Sequence, residues 1–130
     1  RQNTAAVRLS TTQFMSAELA EFNRTWMEKE LSEIFVQDKI EGYDSLTDVQ
    51  KRQWYGLSSS YLQIHQGLFY QWRAGSLEQG VWNGRHRQLV QLMQTDNFKN
   101  VWSQWGGGAG DEFRDYVEKT VIPEGEGSAE

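Results

Sequence analysis

Residues 47–75 read TDVQKRQWYGLSSSYLQIHQGLFYQWRAG, and their apolar spacing decides the fold class. Trp54, Leu57, Tyr61, Ile64, Leu68 and Trp72 recur every three or four positions, so a helix gathers them into one stripe. Thr47 with Gln50 has capping-box spacing: the hydroxyl can accept from the Gln50 amide while the Gln50 side chain accepts from Thr47. Gly75 supplies the stop, because glycine enters the left-handed region without a Cβ clash. The spacing therefore predicts a helix over Asp48–Arg73. Gly56 and Gly67 interrupt it, each costing about 1 kcal/mol against alanine, and mark candidate helix crossings.

Working outward, Met15, Leu19, Phe22 and Trp26 form one face of a first helix running from about residue 3 to residue 29, and Val7 and Phe14 extend the stripe. Leu31, Ile34 and Phe35 mark a short second helix over residues 30–39, with a turn at Gly42, Asp44 and Ser45. Beyond Gly75, Ser76 and Gln79 repeat the capping spacing, and Val81, Trp82, Leu89, Leu92 and Met93 give the buried side of a helix reaching residue 95. The short joint makes these two helices an antiparallel hairpin. Asp96 is the expected cap of a helix carrying Phe98, Val101, Trp102 and Trp105, which ends in the glycine-rich residues 106–110. A last helix over residues 111–121 buries Phe113, Tyr116 and Val117, with Asp111 and Glu112 favourably placed at its positive end. The fold class is all-α: a single bundle of about five to six helices around a central antiparallel hairpin, over residues 1–122. Residues 123–130 are acidic and rich in Gly and Ser, and are expected to be a disordered tail.

Composition narrows the function classes. The chain has 130 residues, one proline, six Trp and no cysteine, so it has no disulfide and no thiolate chemistry. A net charge of -5 argues against nucleic-acid binding. No apolar run approaches the ~18 residues of a membrane span.

Candidate sites are few. His65 lies ten residues before Gly75 and His86 eleven after it, so the hairpin sets the two rings at one level. That makes them a candidate metal or acid–base pair, with Glu18 or Glu21 as a third group, although two ligands without an HExxH or Glu-x-x-His motif do not define a metal site. Tyr55 and Tyr70 fall off the main stripe and are candidates for a ligand or partner interface. Arg85 and Arg87 flank His86 and suit an anion or lipid headgroup, or simply a solvated face. Residues 106–110 lack the Gly-Lys-Ser/Thr of a phosphate loop and lead into Asp111 and Glu112, which repel phosphate. Ser58, Ser59 and Ser60 sit mid-helix without the base a nucleophile needs.

The opening Arg1-Gln2-Asn3-Thr4, the Phe69-Tyr70-Gln71-Trp72-Arg73-Ala74-Gly75-Ser76-Leu77 segment with Trp82, and Phe98, Trp102 and Phe113-Arg114-Asp115-Tyr116-Val117 carry a resemblance. Together they resemble a broad set of small uncharacterised bacterial membrane-anchored proteins, in which one N-terminal transmembrane helix leads into an "RQNT"-type helical domain of unknown function. Similar proteins often have Glu-Asn where Gln66-Gly67 stands here, and they lack the glycine run at 106–110. The resemblance implies that a removed anchor precedes Arg1 and that the domain lies on the cytoplasmic side, in line with the positive-inside tendency of Arg1 and Arg8.

These readings lead first to a non-enzymatic, membrane-tethered helical interaction or scaffold domain without cofactor, meeting a second copy or another protein. The alternative is a small-ligand sensor with an apolar pocket between helices. A metal-dependent enzyme at His65 and His86 ranks third.

Overall fold

The computed structural model describes residues 3–26 and 28–128. Six helices make the bundle, and no strand occurs among the described residues. They are α1 (Asn3–Trp26), α2 (Lys29–Glu41), α3 (Asp48–Arg73), α4 (Gln79–Leu92), α5 (Asp96–Trp105) and a last helix in two parts, α6 (Asp111–Tyr116) and α7 (Ile122–Ser128), joined through a π-helical turn at Val117–Val121. Short 3₁₀ turns at Tyr43–Ser45 and Gly106–Gly108 connect α2 to α3 and α5 to α6.

Helix α3 is the axis, packing against α1, α2, α4, α5 and α6. Its capping box forms: the Thr47 hydroxyl accepts from the Gln50 amide at 3.1 Å, and Gln50 Oε1 accepts from the Thr47 amide at 2.8 Å. At the other end Gly75 has φ +80°. The Ser76 amide donates to the Gln71 carbonyl at 2.9 Å and the Gly75 amide to the Trp72 carbonyl at 3.0 Å, the two bonds of a Schellman stop.

The main core runs along α3 to α6 and includes Leu62, Phe69, Leu89, Phe113, Val117 and Val121, all essentially inaccessible to water. A smaller cluster of Leu31, Ile34, Leu46, Trp54 and Leu57 seals α2 against the start of α3. Phe22 of α1 packs on both and ties them together. Helix α1 runs antiparallel to α3: the Arg8 guanidinium donates to the Gly75 carbonyl at 3.1 Å, and the Phe22 and Tyr61 rings meet at 5.3 Å.

Several local expectations are corrected. The stripe of α1 is covered only from Met15 to Phe22; Val7 and Phe14 are 45% and 60% exposed, Val7 because α3 has ended beside Arg8, whereas Phe14 stays at the open edge of the α1–α3 contact beside Gly67 and Gln71. Trp26, the last member of that stripe, has its side chain outside the described residues. Ser76 does not cap α4, which starts after Glu78 without a side-chain cap, since Gln79 turns instead to Trp72 and Asn83. Helix α4 stops at Leu92, and Thr95 rather than Asp96 caps α5, accepting from the Phe98 amide at 3.3 Å. A side chain added at Gly56 or Gly67 would meet open space, so neither glycine marks a helix crossing.

The largest difference lies at the end of the chain. Of residues 123–130, expected to be disordered, 123–128 are helical within α7, while 129 and 130 lie outside the described residues, as does Arg1. The π turn just before Pro123 explains how helix persists there: proline has no amide to donate and its ring crowds the preceding turn, and a widened turn removes that conflict. Gly125 then lets α7 lie directly on α4, where an added Cβ would come within 2.9 Å of Gln94 Cγ and 3.3 Å of the Val90 carbonyl oxygen. No helix among the described residues is long and apolar enough to cross a membrane.

In the glycine run Gly106 and Gly110 are pressed by their surroundings: an added Cβ at Gly106 would sit 2.7 Å from the buried Trp102 indole and one at Gly110 would strike the Tyr70 hydroxyl, whereas Gly107 has open space around it. Gly106→Ala is expected to cost about 1–3 kcal/mol by overpacking, while Gly107→Ala is neutral or slightly stabilising. Urea unfolding of the two variants checks this, and equal stabilities would show that the run is a plain linker.

Candidate ligand groove

The hairpin and the last helix create an aromatic surface between them. Phe69 and Trp72 stand three positions apart near the end of α3, and Trp82 sits one turn into α4. The antiparallel return stacks Trp72 on Trp82, with ring centres 4.9 Å apart and planes 10° from parallel. Tyr116, closing α6, stacks on Phe69 at 4.8 Å and 27°. The Trp72 indole N–H donates to Gln79 Oε1 at 3.0 Å, and the Gln79 amide donates to Asn83 Oδ1 at 2.8 Å, so the outer indole is held in orientation.

These four rings line a groove of about 850 Å³ between α3, α4 and the α6–π segment. Its rim carries both signs of charge: Arg73 pairs with Glu112 at 3.3 Å and Lys119 with Asp115 at 3.6 Å. Both pairs are exposed, so they add little to stability and are open to exchange partners.

His86 forms one end of the groove. Its Nδ1 lies 2.6 Å from the Tyr116 hydroxyl, and its Nε2 lies 3.1 Å from each carboxylate oxygen of Glu124. Burial, reinforced by the nearby Glu124 carboxylate and Tyr61, pushes the Tyr116 hydroxyl well above its ordinary value, so it keeps its proton and donates it toward Nδ1. The tautomer that fits both neighbours has its proton on Nε2, donated to Glu124. Both ring nitrogens are thereby used inside the protein, and the imidazole joins α4, α6 and α7.

His65 stands apart from this chain. It is 1% exposed and ringed by Tyr61, Trp82 and Phe113, with centroids 5.9, 5.4 and 6.3 Å away. Burial first, then the charges of Arg85 and His86, lower its pKa from 6.5 to about 3, so the ring is neutral. The hairpin brings the two histidines to one level as expected, but it turns one inward and the other toward Glu124. Among the described residues no three His, Cys, Asp or Glu side chains cluster as metal ligands. Glu18 and Glu21 line a separate groove against Phe22 and Ile64.

The other candidates disperse. Tyr55 is half-buried against the main core, while Tyr70 is partly exposed beside Phe69, with its hydroxyl where a side chain at Gly110 would stand. About 22 Å of helix axis separates the two tyrosines, so they share no patch. Arg85 folds back on Gln88 Oε1 at 2.6 Å, which also accepts from the Tyr61 hydroxyl at 2.9 Å; Arg87 remains exposed on another side of α4. Ser58 is sealed in the core, taking a hydrogen bond from Asn97 at 2.9 Å, and Ser59 and Ser60 bond back to the Gly56 carbonyl. The outer face of α2 exposes Val36 and Ile40 along a recess of about 510 Å³, but a single helix cannot enclose a ligand.

Two contributors to the groove were not visible as site residues. Tyr116 reads as core, and Glu124 falls in a stretch whose composition suggests disorder. The only sequence signal was that Glu124 lies eight residues after Tyr116, close to two helical turns. Comparison with known protein families, with curated proteins and with solved structures finds no match to this chain.

Because the folded chain holds His65 neutral while an unfolded histidine protonates near 6.5, this residue's contribution to stability is complete above pH 6.5 and fades as pH falls toward about 3. By pH 4.5 the loss amounts to about 2–3 kcal/mol. His65→Leu is expected to remove that share of the acid sensitivity. Parallel denaturation curves of wild type and variant between pH 7 and pH 4.5 measure the difference, and identical slopes would contradict it.

Proposed function

We propose that this chain is a non-enzymatic helical binding domain held at a membrane, and that its recognition site is the aromatic groove between α3, α4 and α6. The observation that carries the reading is the pairing of two stacked aromatic couples with a rim of exchangeable charge pairs around about 850 Å³ of open groove. That volume lies within the range of small-molecule sites, and apolar walls with a few polar groups are what such sites use. The ligand class that fits has a flat unsaturated face for Trp72 and Tyr116. Its polar ends would meet Asn83, Arg73 and Lys119.

We favour recognition because the groove is walled by stacked rings, and the Tyr116–His86–Glu124 chain joins α4, α6 and α7 and fixes one wall of it. The membrane tether rests on the resemblance of the opening and of the Phe69–Trp72 region to membrane-anchored bacterial proteins. It belongs to the same proposal, as does the cytoplasmic placement of the domain.

Asn83 is exposed on α4 at the groove edge, so Asn83→Trp fills the groove without entering the core. A library of aromatic fragments titrated into the labelled protein should move the indole N–H resonance of Trp72, and those shifts should vanish in Asn83→Trp. A library that leaves Trp72 unmoved would refute the groove as a ligand site. For the tether, a reporter fused after Glu130 of the anchored protein is expected to stay on the cytoplasmic side, and its export would overturn that placement.

A further inference from the structure

A second groove lies on the other side of α3, between α1, α2 and α3, with a volume of about 460 Å³. Its rim carries four carboxylates, Glu18 and Glu21 from α1 and Glu28 and Glu30 from the start of α2, and among the described residues no basic side chain lines it. Arg24 neutralises Glu21 from outside the groove. Among the described residues, Glu18, Glu28 and Glu30 form no ion pair. The positive end of α2 accounts in part for Glu28 and Glu30. Glu28 nevertheless makes no side-chain cap bond, although it occupies the N-cap position. Glu18 and Glu21 lie in the second half of α1, where a helix gains nothing from negative charge.

The floor beneath these carboxylates is oily. Phe22, Leu31, Leu57 and Ile64 line it, and Gly56 leaves a flat place among them where an added Cβ would meet no atom within 4 Å. An apolar strip bordered by unneutralised acid is the complement of a helix with one apolar face flanked by lysine or arginine. The same rim repels phosphate, which disfavours a lipid surface or a nucleic acid. We infer that this groove docks a cationic amphipathic helix of a protein partner. The inference goes beyond the aromatic groove and stands without it, since the two surfaces share no residue.

The test is fluorescence anisotropy of a labelled Leu/Lys peptide of about four helical turns, titrated with the whole chain at low and high salt. Its controls are a scrambled peptide without an apolar stripe, and spermine. Saturable binding that weakens with salt is expected, with the scrambled peptide about tenfold weaker. The triple variant Glu18→Gln, Glu28→Gln, Glu30→Gln should weaken binding about tenfold or more. Gly56→Phe, which adds bulk into open groove, should abolish it while circular dichroism and Tm stay at wild-type values or above. Asn83→Trp should leave it unchanged, which separates this site from the aromatic one. Equal binding of the scrambled peptide or of spermine would overturn the proposal, as would peptide affinity insensitive to the triple variant. Self-association of the free chain that Gly56→Phe removes, read by light scattering, would assign the groove to a second copy instead.

Discussion

Everything in this fold depends on one helix being covered along its length. Helix α3 carries 26 residues, about 39 Å of axis, and an isolated helix of its glycine-containing sequence would be marginal in water. It persists because both ends are closed by local hydrogen bonds and because five other helices press on it. The two grooves are consequences of that arrangement. Where α1 and α2 diverge over α3 an acidic channel opens, and where α4 and α6 meet its far end an aromatic one does.

Aromatic side chains make this possible in a chain of modest hydrophobicity. Each removes roughly 150–250 Å² from water, several times what a small aliphatic group offers. Phe69 alone touches Tyr70, Trp72, Trp82, Phe113 and Tyr116, drawing α3, α4 and α6 to one point. The cost of such a core is geometric. Large flat rings leave little room for backbone, and Gly106 and Gly110 stand where a methyl group would strike Trp102 or Tyr70.

The elements that could be read from the sequence were those governed by local rules. The stripe of α3, its Thr47–Gln50 cap and its Gly75 stop all follow from spacing and backbone chemistry, and so does the hairpin. Rules with competitors were less legible. Ser76 has the spacing of a cap, but Gln79 is drawn away by the Trp72 indole, a partner that exists only after the hairpin closes. Val7 lies on an apolar stripe, yet burial also requires a neighbour, and α3 has already ended. The candidate sites were harder still. Pairing His65 with His86 gave the correct level along the hairpin but not the direction of either ring, which side-chain packing determines. The composition of the tail argues for disorder one residue at a time, while its helix is held by contacts with Val90, Gln94 and His86.

The π turn at Val117–Val121 has a further consequence for how the chain can vary. Tyr116 precedes it and Glu124 follows it, and one imidazole must reach both. Inserting a further residue between them, where the π turn already holds one more than an α turn, would rotate everything downstream by about 100° around the helix axis. Glu124 would swing away from the ring, and Gly125 would leave its notch against Gln94, so a carboxylate and a close helix contact would be lost together. The number of residues between these two side chains is therefore a fixed length in the design, like a tooth count in a gear. Composition in that interval can drift far more freely than its length can.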